Sequence, residues 1–155
     1  METGYGISFS DDVSLNLCRL PDTVRRFGTA DMIAQMPEHP FREGYLDETA
    51  RAWNDFFCRF LPDVDGSPAC AEENAYAFVA HLIRLRLSQK YKVDAPVVYF
   101  GDCLYVPLLS LVPRTKAERA KKPVLAMLDD VFSGVLDGLL PPNDARPGVV
   151  DVWDD

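Results

Sequence analysis

The segment "SPACAEENAYAFVAHLIRLRLSQKY", residues 67–91, constrains the fold more than any other. From Ala69 to Tyr91 it contains neither glycine nor proline, so nothing in it stops a helix. Spaced at ~100° per residue, Ala75, Phe78, Val79, Leu82, Ile83, Leu85 and Leu87 form an apolar arc wider than half the circumference. A surface helix buries a narrower stripe, so a helix over about 68–91 is expected at the centre of the molecule. His81 falls with Glu73, Asn74, Arg84 and Ser88 on the polar sector. Arg86 points into the apolar side, so either the helix emerges from the core there or Arg86 is buried against a carboxylate.

A central helix needs neighbours. "LDETARAWNDFFCRFL" repeats Leu46, Ala50, Trp53, Phe57 and Phe60 at helical spacing behind a candidate N-cap, Asp47, and is expected over 47–61. "PVLAMLDDVFSGVLDGLL" places Val124, Leu128, Val131, Val135 and Leu139 on one face, giving a helix over 123–139. Thr115 and Glu118 have capping-box spacing, and Pro123 is expected to end that short basic helix and open the next. Gly134 and Gly138 would permit a close helix crossing. Earlier, "LPDTVRRFG" and "TADMIAQMP" look like short helices, capped by Asp22 or Thr23 and by Thr29, and closed by Gly28 and Pro37.

The period changes in "APVVYFGDCLYVPLL", where two β-branched and aromatic runs flank Gly101-Asp102, a two-residue hairpin turn. Two strands alone are marginal, so a third is wanted, from "GISFS" near the start or "GVVDVW" near the end. The expected fold is therefore α+β: one mostly helical domain over 1–140, with a small antiparallel sheet built on the hairpin at 96–108. Residues 141–155 form a C-terminal segment packed on it as a strand or docked tail.

The charge is uneven. The net charge is −8, yet all five lysines lie between Lys90 and Lys122. Residues 84–122 carry nine basic side chains against three acidic ones, which leaves −14 on the rest. An acidic body with one basic zone is poor equipment for gripping duplex DNA, and suits docking a basic protein. Interleaved tyrosines near Lys90 and Lys92 leave single-stranded nucleic acid as an alternative ligand. The start "METGYGISFSDD" has no secretory-signal pattern, and no apolar run is long enough to span a membrane. Cys18, Cys58, Cys70 and Cys103 match no zinc or compact disulfide spacing, so reduced, mostly buried thiols in a cytoplasmic or other reducing compartment are expected.

"LPDVDGSPACAEE", residues 61–73, makes the strongest claim to chemistry. Asp63, Asp65, Gly66 and Glu72 fall at calcium-loop positions, but Leu61 stands where the first ligand belongs and Pro68 where a backbone N–H is needed. Cys70, in the first turn of a helix, could serve a small cysteine-dependent enzyme if His39 reached it as the base, since His81 is about 16 Å further along the helix. The alternative uses every residue: Ser67 as N-cap, Pro68 in the first turn, Glu72 and Glu73 facing the dipole.

The chain has no phosphate-binding glycine loop, no nucleophile elbow, no usual His-based metal pattern, and nothing that implies a cofactor. Adjacent Asp129 and Asp130 point about 100° apart on a helix and cannot clamp one ion. The tail "DVWDD" is similar to the short tryptophan-acidic cargo motifs that helical-repeat adaptors read, which makes Asp151, Trp153, Asp154 and Asp155 candidate binding residues. The expectation is a non-enzymatic protein-binding module, an adaptor or an immunity-type inhibitor, whose acidic surface meets a basic protein.

Overall fold

A computed structural model describes residues 2–112, 117–142 and 145–153, and the backbone alone for 117–120. It is an α+β arrangement in which helices cover one face of a four-stranded antiparallel sheet. The helices are α1 (Leu20–Phe27), α2 (Ala30–Gln35), α3 (Glu48–Phe60), α4 (Ala71–Tyr91) and α5 (Ala117–Leu136). The strands are β1 (Glu2–Ser8), β2 (Val98–Phe100), β3 (Cys103–Pro107) and β4 (Gly148–Val152), in the order β2-β3-β1-β4. Both candidate third strands are therefore in the sheet, and β1 lies between β3 and β4.

The expected central helix is central. Phe78, Val79, Leu82, Ile83 and Leu87 of α4 are fully buried, and α4 touches α1, α3, α5, β2 and β3. Phe56 and Phe57 of α3 each place a ring centroid 5.2 Å from that of Phe78, and Trp53 donates its Nε1–H to the His39 carbonyl at 2.6 Å. Gly101 and Asp102 both have φ near +60°, the left-handed pair that a tight hairpin of this kind requires. On the inner face of the sheet, Tyr5, Ile7, Leu104 and Val106 join the helical core, and Tyr5 donates to Asp129 of α5 at 2.7 Å. The outer face has its own small cluster of Cys103, Tyr105 and Val152. Gly4 and Gly6 make it possible: a Cβ on Gly4 would sit 2.5 Å from the Tyr105 ring, and one on Gly6 would overlap the Leu104 carbonyl.

Several local expectations are corrected. Helix α5 runs through Pro123 without a break, held by the buried face of Leu128, Val131, Phe132, Val135 and Leu136. Gly134 and Gly138 face open space, so among the described residues no helix packs closely there; Gly138, at φ +83°, instead follows the end of α5 in a left-handed turn. Ser67 does not cap α4. Its backbone N–H donates to Asp65 at 2.9 Å, residues 68–70 form a 3-10 turn, and α4 begins at Ala71. Helix α1 is preceded by a short 3-10 turn, with Arg19 rather than Asp22 or Thr23 at its N-cap position. Leu46 precedes the Asp47 cap and is exposed instead of joining the aromatic face. Of the four free thiols only Cys103 is buried; Cys58 and Cys70 are half-buried and Cys18 is exposed. The Thr115–Glu118 box lies outside the described residues and side chains.

Candidate functional site

Three distant segments converge on one cleft of about 500 Å³. After β1 the chain makes a tight turn, with Ser10 and Val13 exchanging backbone hydrogen bonds at 3.0 and 3.1 Å, and this presents Phe9, Asp11 and Ser14. The first turns of α4 supply Glu72, Glu73 and Tyr76, and the β2–β3 hairpin supplies Tyr99 and Asp102. The pieces are tied together by the Phe9 N–H, which donates to the Asp102 carbonyl at 2.7 Å, and by the Leu15 N–H, which donates to the Tyr76 hydroxyl at 2.9 Å.

The floor is aromatic. Phe9 and Tyr76 meet edge-on at 4.9 Å, Tyr76 and Tyr99 lie 5.1 Å apart, and Phe9 and Tyr99 lie 6.3 Å apart. The wall is acidic. Asp11, Glu72, Glu73 and Asp102 are all exposed, and no lysine or arginine lines the cleft among the described residues. None of the four makes a salt bridge among the described residues, whereas Asp22, Asp94, Asp130 and Asp137 are each paired with a lysine or arginine. The phenols register this environment. Burial, then the neighbouring Tyr76, Asp102, Glu73 and Glu72, push Tyr99 above its ordinary value. Burial likewise raises Tyr76, with Glu72 and Glu43 adding and the Leu15 N–H opposing. Carboxylates and aromatic rings attract the same charge, so a lining of this composition is chemically suited to an organic cation.

No protein-family model, curated protein or solved structure matches this chain.

The residues singled out in the sequence are dispersed. Cys70 lies 3.4 Å from the Ser67 hydroxyl and beside the Asp65 carboxylate, while His39 is exposed in a loop, where its backbone carbonyl accepts from Trp53. The two are not brought together as a hydrogen-bonded pair. His81 is half-buried beside Phe78, with ring centroids 6.5 Å apart, and burial followed by Arg84 lowers its pKa. Asp65 is committed to the Ser67 backbone, and Glu72 turns into the cleft rather than toward Asp63 and Asp65, so the calcium positions do not gather. Among the described residues, no group of three or more His, Cys, Asp or Glu side chains could hold a metal ion.

In the basic zone, Lys90 pairs with Asp130 at 2.7 Å and Lys92 reaches the Gln89 carbonyl at 3.3 Å. Tyr91 also donates to Asp130, at 2.6 Å, while Tyr99 is in the cleft and Tyr105 is buried on the outer sheet face. Asp129 and Asp130 do diverge, the first to Tyr5 and Ser133, the second to Lys90 and Tyr91. Arg86 is half-buried where α4 leaves the core, since residues 88–91 are exposed, and its guanidinium lies over the Phe27 ring, 5.5 Å from the centroid. In the tail, Asp151 accepts from Thr3 at 3.3 Å, Val152 is buried and Trp153 is 67% exposed; Asp154 and Asp155 lie outside the described residues.

Sequence reasoning missed the cleft because its parts lie far apart in the chain. It also missed a buried polar clamp. Asn54 donates to the Gly66 and Ser67 carbonyls at 2.9 and 3.2 Å, and Asn74 donates to Asn54 and to the Asp65 carbonyl at 2.8 Å each. These bonds lay the 61–70 loop back along α3, which brings Glu72 and Glu73 to the cleft. The signal in the sequence was slight: two asparagines one or two positions from an aromatic residue, in Trp53-Asn54 and Asn74-Ala75-Tyr76.

Proposed function

We propose that this chain is a non-enzymatic protein-binding module, of the adaptor or inhibitor kind, that docks a basic protein through the acidic, aromatic-floored cleft. One observation carries the reading: four exposed carboxylates around three aromatic rings, with no cationic side chain in the lining and no salt bridge to any of them among the described residues. Leaving them unpaired is unfavourable through self-repulsion, and a lysine or arginine from a partner would relieve it. A reducing intracellular compartment belongs to the same reading and is supported by the four free thiols. No helix among the described residues is long and apolar enough to cross a membrane.

The test is a titration of the isotopically labelled protein with the peptide Gly-Gly-Arg-Gly-Gly, blocked at both ends, followed by amide and tyrosine chemical shifts. Shifts should concentrate at 9–14, 72–76 and 99–102, weaken severalfold in Glu72→Gln/Glu73→Gln, and fade with added salt. Shifts confined to other surfaces would overturn the reading. So would tighter binding of a single-stranded oligonucleotide that is lost in Lys90→Glu/Lys92→Glu.

A further inference from the structure

The β2–β3 turn separates the cleft from a second exposed feature. Tyr99 and Asp102 line the cleft, while Phe100, between them in the chain, is 48% exposed. The end of β4 meets the same turn: the Trp153 carbonyl oxygen and Val152 Cγ1 each lie 3.9 Å from the place a Cβ on Gly101 would occupy. Trp153 is 67% exposed while its neighbour Val152 is buried, so the valine anchors the tail and the backbone that carries the exposed indole lies at the turn. Two large aromatic side chains are thus exposed on backbone that meets at one turn, at the rim of a cleft whose carboxylates have no salt-bridge partner among the described residues.

Resting on the proposed function, we infer that Phe100 and Trp153 form the apolar half of the same docking surface, and that the partner segment presents an arginine or lysine flanked by an apolar side chain. The cationic group enters between Glu72, Glu73 and Asp102 over the tyrosine rings, and the flanking side chain covers Phe100 and the indole. Charge complementarity selects this occupant. A second copy of the chain is net acidic, and its paired Lys90 is already engaged with Asp130. An apolar segment without a cation would leave the four carboxylates repelling one another beside a surface newly closed to water. Large exposed aromatics next to a charged pocket are the usual anchors of such surfaces, where ring area supplies affinity and the charges fix orientation.

The experiment compares three blocked peptides on the intact protein: Gly-Gly-Arg-Gly-Gly, Gly-Leu-Arg-Leu-Gly and Gly-Leu-Glu-Leu-Gly. The readouts are chemical shifts and Trp153 fluorescence. The leucine-flanked arginine peptide should bind about threefold to tenfold more tightly than the glycine-flanked one, the gain expected for partial burial of one aliphatic side chain. Trp153→Ala and Phe100→Ala should remove that preference and leave the glycine-flanked peptide's affinity unchanged, and the glutamate peptide should not bind. If both arginine peptides bind equally, or the preference survives both substitutions, the inference fails while the cleft reading stands. If neither arginine peptide shifts the cleft resonances, the cleft reading itself fails.

Discussion

Removing the Asn54–Asn74 clamp should destabilise the whole domain and do so non-additively. Asn54 and Asn74 are buried, at 2% and 4% exposure, and share four hydrogen bonds with each other and with three consecutive loop carbonyls. Asn54→Ala deletes three of these, and at about 1 kcal/mol net for each should cost about 3 kcal/mol. Asn74→Ala deletes two and leaves the Asn54 amide oxygen without its donor, for about 2 kcal/mol. The bond between the two asparagines is lost in either single variant, so the double variant should fall short of additivity by about 1 kcal/mol. Urea unfolding can be followed through Trp53, which is fully buried beside the clamp. With a slope of about 2 kcal/mol per molar urea, the Asn54→Ala midpoint should fall by about 1.5 M. Single losses below about 0.5 kcal/mol, or strict additivity, would refute the clamp as what holds the 61–70 loop in place.

Two further outcomes are expected. Gly6→Ala should cost about 3 kcal/mol or more, since its Cβ would overlap the Leu104 carbonyl, whereas Gly134→Ala, facing open space inside α5, should stabilise by about 0.5–1 kcal/mol; thermal melts that reverse this order would contradict the packing of the sheet. His81 should titrate below 6.5, because burial and then Arg84 disfavour its charged form. The unfolded chain therefore takes up that proton first as pH falls, so His81's contribution to stability is present above about pH 6.5 and is lost below it. An NMR midpoint at or above 6.5 would sink this assignment.

The parts of the fold legible in the sequence were those written in a local period. The wide apolar arc of α4, the aromatic face of α3 and the Gly101-Asp102 turn each follow from residues a few positions apart. Less legible was anything decided by a distant neighbour. Pro123 is a helix breaker in isolation, yet the buried face of α5 carries the helix through it. Asn74 reads as polar on a helical projection, but its amide is spent on a loop that folds back on it. Ser67 has the chemistry of a cap, but Asp65 engages its N–H and the helix starts four residues later. "GYG" at residues 4–6 shows only glycines until the Tyr105 ring and the Leu104 carbonyl are placed over them. The cleft is the extreme case, because Phe9, Tyr76 and Tyr99 belong to separate elements and only the folded chain makes them one floor.

The central position of β1 has a consequence for the order of synthesis. This strand is made well before either of its partners, since Gly4 pairs with Pro107 on one side and with Val150 on the other. As the chain leaves the ribosome, β1 has no strand to pair with until β3 emerges, and one edge stays open until β4 follows. Through that interval Tyr5 and Ile7, later buried, are borne on a strand with unpaired amides. The helical layer, whose contacts between α3 and α4 are closer in sequence, can form meanwhile and shelter the inner face. A nascent chain stalled before β4 would thus carry the helices and a three-stranded sheet with an exposed edge beside Gly4 and Gly6, the state in which a chaperone or a neighbouring chain would find it.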